Sequence, residues 1–439
     1  MSARSRELFG LVPVSLLVTG GFTAVLITRS AVMSTVTVTY GAIFLGCCVF
    51  AHLFIRARLP DADPYLFPLA ALLAAFGLVV IYRIDEDLAR QQAQWFVLGL
   101  ILFVATIVFL RDHRALERYR YTIAAAGIGL LFLPRLIGQQ VNGAYLSVDL
   151  GVINFQPAEF AKLAIVVFLA SYLRDTRDVL VQGRFFRLSI KHFGPLLVVW
   201  GAAMLMLVLI RDLGSSLMFF GGFLALLYVA TARLSLVAAG AGMFAAGSAF
   251  FADHVPHVHE RIEIWQHPFT PKLVNDQGYQ MAQSLFAQAD GGLFGKGFGQ
   301  ALLQIPGCHS ADPLACKILP AAHTDLIYAL ITDETGLFGA AAIVVIYLLF
   351  AARGFKTALI ANDDFSKLLA AGLTAVFALQ VFVIVGGVTK VIPLTGVTLP
   401  LVSYGGSSIV ANLILLALLL VVSDHARAGP ERAPGGGVV

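Results

Sequence analysis

The chain has 439 residues, of which 59% are hydrophobic and only 13% are charged, with a mean hydropathy of +0.84 and a net charge of +4. Soluble globular proteins carry about 25% charged residues, so this composition excludes a chain with a fully water-facing surface. The apolar residues fall in runs of bilayer length, such as residues 236–253 and 406–423. A positive charge spread over the ends of such runs indicates a membrane protein, and we expect no nucleic-acid partner.

The apolar runs predict an all-α polytopic membrane protein with about twelve transmembrane helices. The candidate spans, in chain order, are residues 8–28, 34–55, 66–82, 94–110, 121–138, 158–173, 195–210, 215–231, 236–252, 325–352, 368–388 and 405–423. The polar, Pro/Gly-rich tail 424–439 is predicted to be disordered.

The distribution of Lys and Arg residues predicts the orientation of these spans. If the N-terminus is cytoplasmic, the inner segments hold about twice as many Lys and Arg residues as the outer segments. Because basic residues are enriched in cytoplasmic loops, we expect both termini in the cytoplasm and the long loop 253–324 outside.

The outer loop 253–324 is too long to be without structure, and we expect it to be functional and partly ordered. Residues 279–288 have apolar positions at helical spacing, which predicts a helix along or within the membrane surface. Cys308 and Cys316 lie further along this loop. An oxidising exterior favours a disulfide between them, and two free thiols are the alternative.

Charged residues inside a membrane span are costly, so each one requires an explanation. Glu159 and Lys162 lie three residues apart near the start of one span and share a helix face. They are either a mutually neutralised structural pair or the polar wall of a substrate cavity.

Two further segments carry charge at span ends. Arg211 and Asp212 lie between two apolar runs, where the sequence is equally compatible with a simple tight turn. His323 and Asp325 stand at the mouth of a later span. The acidic pair 333–334 lies about two turns inside that span, so we expect it to face the protein interior, water or a cavity.

Five motifs, in order, resemble the shape, elongation, division and sporulation family of membrane glycosyltransferases, whose members include RodA and FtsW. They are QPAEFAKL at 156–163, RDLGSS at 211–216, GYQMAQSLFAQADGGLFGKGFG at 278–299, PAAHTDLIYALITDETGLFG at 320–339 and TGVTLPLVSYGGSS at 395–408.

The resemblance implies a ten-helix core at 63–423 that includes the loop 253–324, preceded by two additional helices in 1–62 and followed by the tail 424–439. It implies polymerisation of lipid II into peptidoglycan glycan strands at the outer face of the bacterial cytoplasmic membrane. It also implies a class B penicillin-binding protein as the transpeptidase partner, with lipid II as substrate and membrane lipid around the chain.

The catalytic aspartate of the family lies about six residues before the tyrosine of the GYQ motif. That position is Leu273 here, and the nearest acid is Asp276, which becomes the candidate general base. The chain also departs from the family pattern after Asn142-Gly143, at Pro320-Ala321-Ala322, and in an expanded segment between 299 and 319.

The implied reaction is an inverting attack of a sugar hydroxyl on an anomeric carbon that carries a lipid diphosphate. The leaving diphosphate needs positive charge, from Lys296, Arg211, Lys390 or a divalent cation such as Mg or Mn. We expect no organic cofactor. The substrate-binding candidates taken from the motifs and their charged residues are Glu159, Lys162, Arg211, Asp212, Lys296, His323, Asp325, Lys390, Ser403 and Tyr404.

Other functions use the same architecture. A lipid II flippase or other transporter would need no acid at the outer face, and a scaffold that docks a partner enzyme would tolerate Asp276→Ala. Within the family, a division role like that of FtsW is the alternative to elongation. The two additional N-terminal helices and the PAAHTD motif favour a RodA-like role in elongation and cell shape.

Overall fold

The structure is a computed structural model that describes residues 2–28, 35–110, 112–138, 145, 147–149, 154–182, 201, 205, 213–274, 278–305, 308 and 316–428. The described residues are mostly helical, as expected from the apolar runs. The helices are α1 (Ala3–Thr28), α2 (Thr35–Arg58), α3 (Leu66–Ile84), α4 (Glu86–Phe109), α5 (Ala115–Arg118), α6 (Arg120–Ile137), α7 (Pro157–Gln182), α8 (Leu213–Thr231), α9 (Leu234–His254), α10 (Pro256–Gln266), α11 (Pro271–Val274), α12 (Tyr279–Gly291), α13 (Ile327–Ile360), α14 (Asp364–Val388) and α15 (Gly406–Arg427). Two short strands, β1 (Val148–Asp149) and β2 (Asn154–Phe155), pair antiparallel.

Within the described residues, 10 helices are long and apolar enough to cross a membrane, namely α1–α4, α6, α8, α9 and α13–α15. Helix α7 has sufficient length at 26 residues but contains more charge. The predicted span 195–210 lies outside the described residues apart from positions 201 and 205. The polytopic all-α architecture is therefore confirmed, and the total of about twelve spans stays a prediction.

Helices α14 and α15 form the centre of the bundle. Helix α15 contacts α4 and α7, and α14 contacts α7, α8 and α13. Both helices are apolar on nearly every face, and most of their side chains are buried inside the protein. By contrast, only 6% of the apolar segment of α9 is buried. Helix α9 therefore has the pattern of a lipid-facing helix at the periphery.

Helices α1 and α2 pack on the outside of α3 and α4. Gly21 allows α1 to approach α3, since a Cβ there would lie only 2.8 Å from the side chain of Val79. Small residues commonly permit such close approach between membrane helices. Near the start of α1, the buried carboxylate of Glu7 bonds to Arg4 and to His52 of α2. This cluster neutralises charges that would otherwise be expensive to bury.

We call the end of the bundle that carries residues 253–326 the loop end, and the other end the opposite end. At the opposite end, buried Asp63 pairs with Arg353 of α13 and Arg427 of α15. Asp424 accepts a hydrogen bond from the Asp61 amide at 2.8 Å. Because these contacts hold the last turn of α15 against the core, the helix continues to Arg427. The predicted start of the disordered tail at 424 is therefore wrong, and the rest of that tail, 429–439, lies outside the described residues.

Helix α13 is kinked at Gly336, where φ is +67° and ψ is −173°. Residues other than glycine rarely adopt this backbone conformation. The backbone of residues 291–299, which we call the glycine-rich loop, lies directly against the kink, since a Cβ on Gly336 would lie 2.4 Å from the Gly295 nitrogen. The kink separates a short buried segment, which contains Asp333 and Glu334, from the long apolar span that follows.

Candidate functional site

A buried charged cluster connects α7 and α14. Pro157 opens α7, which suits the first helical turn, and Glu159 and Lys162 follow on one face. The Lys162 Nζ donates to Glu159 Oε2 at 2.5 Å and to Gln380 Oε1 of α14 at 2.7 Å. Lys162 is 2% exposed and Glu159 is 6% exposed. Both charges are therefore paired and shielded from solvent. The pairing lies within α7, and α14 adds the contact from Gln380.

Gln380 joins this cluster to the loop between α14 and α15, which we call the 389–405 loop. Its Nε2 donates to the carbonyl of Thr398 at 2.9 Å. The same loop contacts the start of α8, because a Cβ on Gly214 would lie 2.2 Å from the side chain of Val397. Gly214 follows Arg211 and Asp212, which themselves lie outside the described residues.

Asp325 also lies close to the 389–405 loop. Its Oδ2 would be 3.5 Å from a Cβ placed on Gly396, where φ is +73°. The 389–405 loop thus contacts both the Lys162 cluster, through Gln380, and the segment that carries His323 and Asp325.

Ser403 and Tyr404 hold that segment in place. The Ser403 hydroxyl donates to the Thr324 carbonyl at 2.7 Å, and the Tyr404 amide donates to the His323 carbonyl at 2.8 Å. The Tyr404 hydroxyl donates to Gln91 of α4 at 2.6 Å. These contacts give both residues positioning roles that the sequence motif alone did not reveal.

The His323 imidazole packs 5.9 Å from the Tyr404 ring, measured between centroids. Burial, with a smaller effect from Lys317, lowers the pKa of His323, although the charge of Asp85 opposes this. The imidazole is therefore neutral at pH 7 and can act as a hydrogen-bond donor and acceptor.

Lys296 forms a second charged cluster, which is partly open to solvent. Its Nζ lies 2.8 Å from Asp290 Oδ2 and 3.1 Å from Asp333 Oδ1. Burial disfavours the ammonium, but hydrogen bonds and charges of the two aspartates outweigh it and raise the pKa of Lys296. The Lys296 side chain is 37% exposed, so this ammonium can still meet a ligand from outside.

The acidic pair in α13 faces the protein, as the sequence predicted. Asp333 is 5% exposed and Glu334 is 2% exposed. Glu334 pairs with Arg83 of α3 at 2.7 Å. Arg83 also donates to the carbonyls of Gly299 and Ala301, at 3.1 and 2.6 Å. Arg83 therefore fixes the glycine-rich loop to the bundle.

Several loop residues other than glycine have a positive φ, which is costly for a residue with a side chain. Ala321, Lys390 and Leu401 have φ values of 53°, 62° and 66°. Such residues persist only where surrounding contacts enforce them, and they concentrate at functional sites. All three lie in the two segments that flank His323, Asp325 and Tyr404.

Lys390 is attached to α10 at the loop end. The Trp265 indole donates to the Lys390 carbonyl at 3.0 Å, and Arg261 donates to the Leu394 carbonyl at 3.2 Å. The Lys390 Nζ itself contacts the Gln266 carbonyl at 3.4 Å. The structure thus places Lys390 at the start of the 389–405 loop and Lys296 on the separate glycine-rich loop.

Asp276 lies outside the described residues, together with its two immediate neighbours. The residues on either side are described: the Gly278 amide donates to the Leu273 carbonyl at 2.9 Å, and Leu273 is buried. Helix α12 begins at Tyr279, whose hydroxyl donates to the Lys317 carbonyl at 3.0 Å. The predicted helix over 279–288 is thereby confirmed, and a buried Leu273 occupies the position where the resemblance would place an acid.

Cys308 and Cys316 are joined by a disulfide with Cα atoms 5.6 Å apart. Flanking backbone bonds, from Ile305 to the Cys316 carbonyl at 2.9 Å and from Ile318 to the Leu303 carbonyl at 3.0 Å, form a hairpin-like pairing. The pair therefore closes the expanded part of the outer loop.

Sequence reasoning missed Gln380, Arg83 and Gln91 as contributors to the site. Gln380 lies inside an apolar span, and a polar residue in such a position was the available signal. Arg83 stands in the last turn of a span, where an arginine is ordinarily read as an interfacial anchor.

A resident divalent cation would need several acidic or imidazole side chains close together. Within the described ranges, no three His, Cys, Asp or Glu side chains come together as a ligand set. Asp290 and Asp333, the nearest candidates, share the ammonium of Lys296, which already neutralises them. These residues do not fit a resident cation.

The fold and site define a polytopic membrane protein with two polar segments joined to the 389–405 loop, one through Gln380 and one through Ser403 and Tyr404. A family model described as "Cell cycle protein", FTSW_RODA_SPOVE, matches residues 64–428. A protein named peptidoglycan glycosyltransferase RodA, from Mycobacterium leprae, is 40% identical over 403 residues, which cover 88% of this chain and 83% of that protein. A probable peptidoglycan glycosyltransferase FtsW of Tolumonas auensis is 35% identical over 323 residues, 71% of this chain and 78% of that protein.

A solved structure described as "Structural coordination of polymerization and crosslinking by a peptidoglycan synthase complex" contains a similar chain. The match has a TM-score of 0.66 and 27% sequence identity, and covers 84% of this chain and 99% of that one. The chain therefore belongs to the FtsW/RodA/SpoVE family.

Proposed function

We propose that this chain is a peptidoglycan glycosyltransferase that polymerises lipid II at the outer face of the bacterial cytoplasmic membrane, in a RodA-like elongation role. The observation that carries the proposal is the 40% identity, over 88% of the chain, to a protein named for this activity. Lower identity and coverage for the protein named FtsW favour elongation over division.

In the proposed reaction, a hydroxyl oxygen of one sugar forms a bond to the anomeric carbon of another. The bond from that carbon to the lipid diphosphate breaks, and the diphosphate leaves with the electron pair. The hydroxyl proton passes to the carboxylate of Asp276, which acts as general base. One displacement at the anomeric carbon inverts its configuration.

Positive side chains at the loop end would stabilise the departing diphosphate. Lys296 is suited to this role because two aspartates fix its ammonium while its side chain stays 37% exposed. Lys390, at the rim of the 389–405 loop, and Arg211 are the other candidates. A divalent cation such as Mg²⁺ or Mn²⁺ would supply further positive charge if it arrived with the diphosphate.

The Lys162 cluster is proposed as the polar wall of the substrate cavity. Its support is the connection of Gln380 to Thr398, which ties the cluster to the loop that borders Asp325. Ser403, Tyr404 and His323 would then shape the same cavity from the loop end.

We further propose a class B penicillin-binding protein as the partner that cross-links the new strand. The support is the likeness to a chain whose structure is described as a peptidoglycan synthase complex that coordinates polymerization and crosslinking. Both termini are proposed to be cytoplasmic, on the basis of the Lys and Arg distribution.

Polymerisation of labelled lipid II by the purified chain with its partner tests the proposal. Asp276→Asn keeps the side-chain shape but removes the base, so we expect activity to fall by about 10²–10⁴-fold. Asp253→Asn is the matched control, because Asp253 is an exposed outer-loop acid at the end of α9. Near-normal polymerisation by Asp276→Asn would refute the assignment of the base. An inactive wild type that nevertheless moves lipid II across vesicles would identify a flippase instead.

Orientation has its own test. A single cysteine introduced at the Lys272 position should react with a membrane-impermeant thiol reagent added outside cells. Labelling only from the cytoplasmic side would reverse the topology, whatever the enzymatic result.

A further inference from the structure

A groove between α2 and α4 is not used by the proposed reaction. It has a volume of about 450 Å³, within the range of ligand-binding cavities. Helix α2 supplies Ile43, Phe44 and Cys47 to its lining, and α4 supplies Ala93 and Val97. Ile43 is 49% exposed and Val97 is 37% exposed, so the groove opens away from the bundle, towards the surrounding bilayer.

The groove and the candidate site lie on different faces of α4. Arg90, Ala93, Gln94 and Val97 recur at helical spacing along the groove. Gln91 and Gln92 face the other way, where they bond to Tyr404, to the Ser403 carbonyl and to the Gly405 amide. A ligand in the groove would therefore touch the helix that positions the 389–405 loop without entering the candidate site.

The groove is polar at one end, where Arg90 lies, and apolar along most of its length. Apart from Arg90 and Gln94 its lining is apolar, and Phe44 and Phe96 close its floor with ring centroids 4.8 Å apart. Arg90 lies about one turn inside α4, at the loop end of the bundle, and is more than half exposed. An arginine at this depth is stabilised when a lipid headgroup accepts its hydrogen bonds.

Both signs of charge are present at this end. Arg90 Nη2 donates to Asp87 Oδ1 at 2.8 Å, and the Asp87 side chain is 75% exposed. A guanidinium has five N–H donors, so it can bind a phosphate while keeping this partner. Asp87 follows Asp85 and Glu86, which makes the region unfavourable for a headgroup with net negative charge.

We propose that the groove binds one membrane phospholipid whose headgroup contains a phosphate and an amine. The phosphate contacts Arg90, the amine contacts Asp87, and one acyl chain lies between α2 and α4 along Ile43, Cys47 and Ala93. This site is separate from the proposed glycosyltransferase site. Helix α2 precedes the family match at 64–428, so the site is built partly from the additional N-terminal helices.

Native mass spectrometry of the delipidated full chain in detergent provides the test. Three lipids with identical acyl chains are titrated: phosphatidylethanolamine, phosphatidylglycerol and diacylglycerol. We expect one tightly bound phosphatidylethanolamine, with weaker binding of the other two. Equal binding of diacylglycerol would show that the headgroup is not recognised, and preferred binding of phosphatidylglycerol would show that the charge argument is wrong.

Variants locate the binding. Arg90→Ala removes charge-assisted hydrogen bonds to phosphate and should weaken phosphatidylethanolamine binding about tenfold or more. Arg58→Ala is the control. Arg58 is also exposed, but it lies at the far end of α2, away from the groove. Asp87→Asn should reduce the preference for phosphatidylethanolamine over phosphatidylglycerol.

Ala93→Trp fills the groove without changing its charge and should abolish the single tight binding event. Unchanged binding by both Arg90→Ala and Ala93→Trp would overturn the proposal, as would a stable dimer of this chain that excludes lipid. The thermal midpoint of each variant in detergent shows whether it is folded. The readout is lipid mass, so its result is independent of whether the chain polymerises lipid II.

Discussion

The clusters around Lys162 and Lys296 both pair a lysine ammonium with a carboxylate, but they differ in how far they are buried. Lys162 is 2% exposed and is bound by Glu159 and Gln380, both buried. Lys296 is 37% exposed and lies between Asp290, itself 61% exposed, and Asp333. A buried pair is costly to break because the remaining charge is stranded, whereas a half-exposed pair is compensated by water. We therefore expect Lys162 to dominate stability and Lys296 to remain available for a ligand.

The largest expected effect comes from breaking the buried pair. Glu159→Ala or Lys162→Ala strands one charge inside the bundle, which should cost roughly 3–5 kcal/mol of folding stability. Thermal unfolding in detergent and the yield of folded protein measure the loss. The double variant Glu159→Leu/Lys162→Met removes both charges at similar volume and should recover folding.

Activity of this double variant distinguishes the two roles of the cluster. Recovery of folding without polymerisation would support a polar wall of the substrate cavity. Recovery of both folding and polymerisation would show that the Glu159–Lys162 pair is structural only. Lys162 and Lys296 would then differ only in their contribution to stability.

The origin of each cluster explains how far sequence could predict it. Glu159 and Lys162 lie three residues apart on one helix, so their pairing follows from helical geometry. Gln380 joins them from a helix more than 200 residues later, and no local pattern encodes that contact. Lys296 likewise meets Asp333 because Gly295 and Gly336 bring two backbones together. The apolar runs predicted the helices well, but they contain no information on which polar residues meet between them.

A second variant tests the backbone contact that positions Lys296. In Gly295→Ala, the new Cβ would lie 2.2 Å from the Glu334 carbonyl, in a residue whose φ is +79°. We expect the clash to add about 1–3 kcal/mol to the cost of the positive φ, and we expect the glycine-rich loop to be displaced.

Gly292→Ala is the matched control for this contact. Gly292 also has a positive φ, of 52°, but no atom lies within 4 Å of the position that a Cβ would take there. It should therefore show only the conformational cost of a positive φ, about 1–2 kcal/mol. Equal thermal shifts in the two variants would mean that the contact with Glu334 contributes nothing.

His113 shows what burial does without a carboxylate partner. Its Nδ1 lies 3.1 Å from His425 and its Nε2 lies 2.6 Å from Ser366. Burial, followed by the charge of His425, lowers the pKa of His113 to about 4, while Asp363 and Asp112 oppose the shift and Arg114 adds to it.

Because this pKa is lowered, the unfolded chain binds the proton more readily than the folded chain. The stabilisation is present above the unfolded pKa of about 6.5 and is lost as pH falls from there towards 4. At pH 5.5 the loss should be on the order of 1 kcal/mol. His113→Asn should flatten this part of the stability curve, whereas His254→Asn, an exposed control, should leave it unchanged. An identical pH dependence in wild type and His113→Asn would exclude His113 as its source.

The smallest expected stability effect is that of Lys296→Met. Since the Lys296 side chain is more than a third exposed, the pairing of its ammonium with Asp290 and Asp333 should contribute only about 0.2–1 kcal/mol, and less at high salt. Its effect on catalysis should be larger, because a diphosphate that leaves without this charge lacks stabilisation in the transition state. We expect polymerisation of lipid II to fall on the order of 10²-fold at nearly unchanged thermal stability. Lys317→Met, at another lysine of the outer loop, controls for a general loss of positive charge. A Lys296→Met protein that is strongly destabilised, or that polymerises normally, would contradict the contrast between the two lysine clusters.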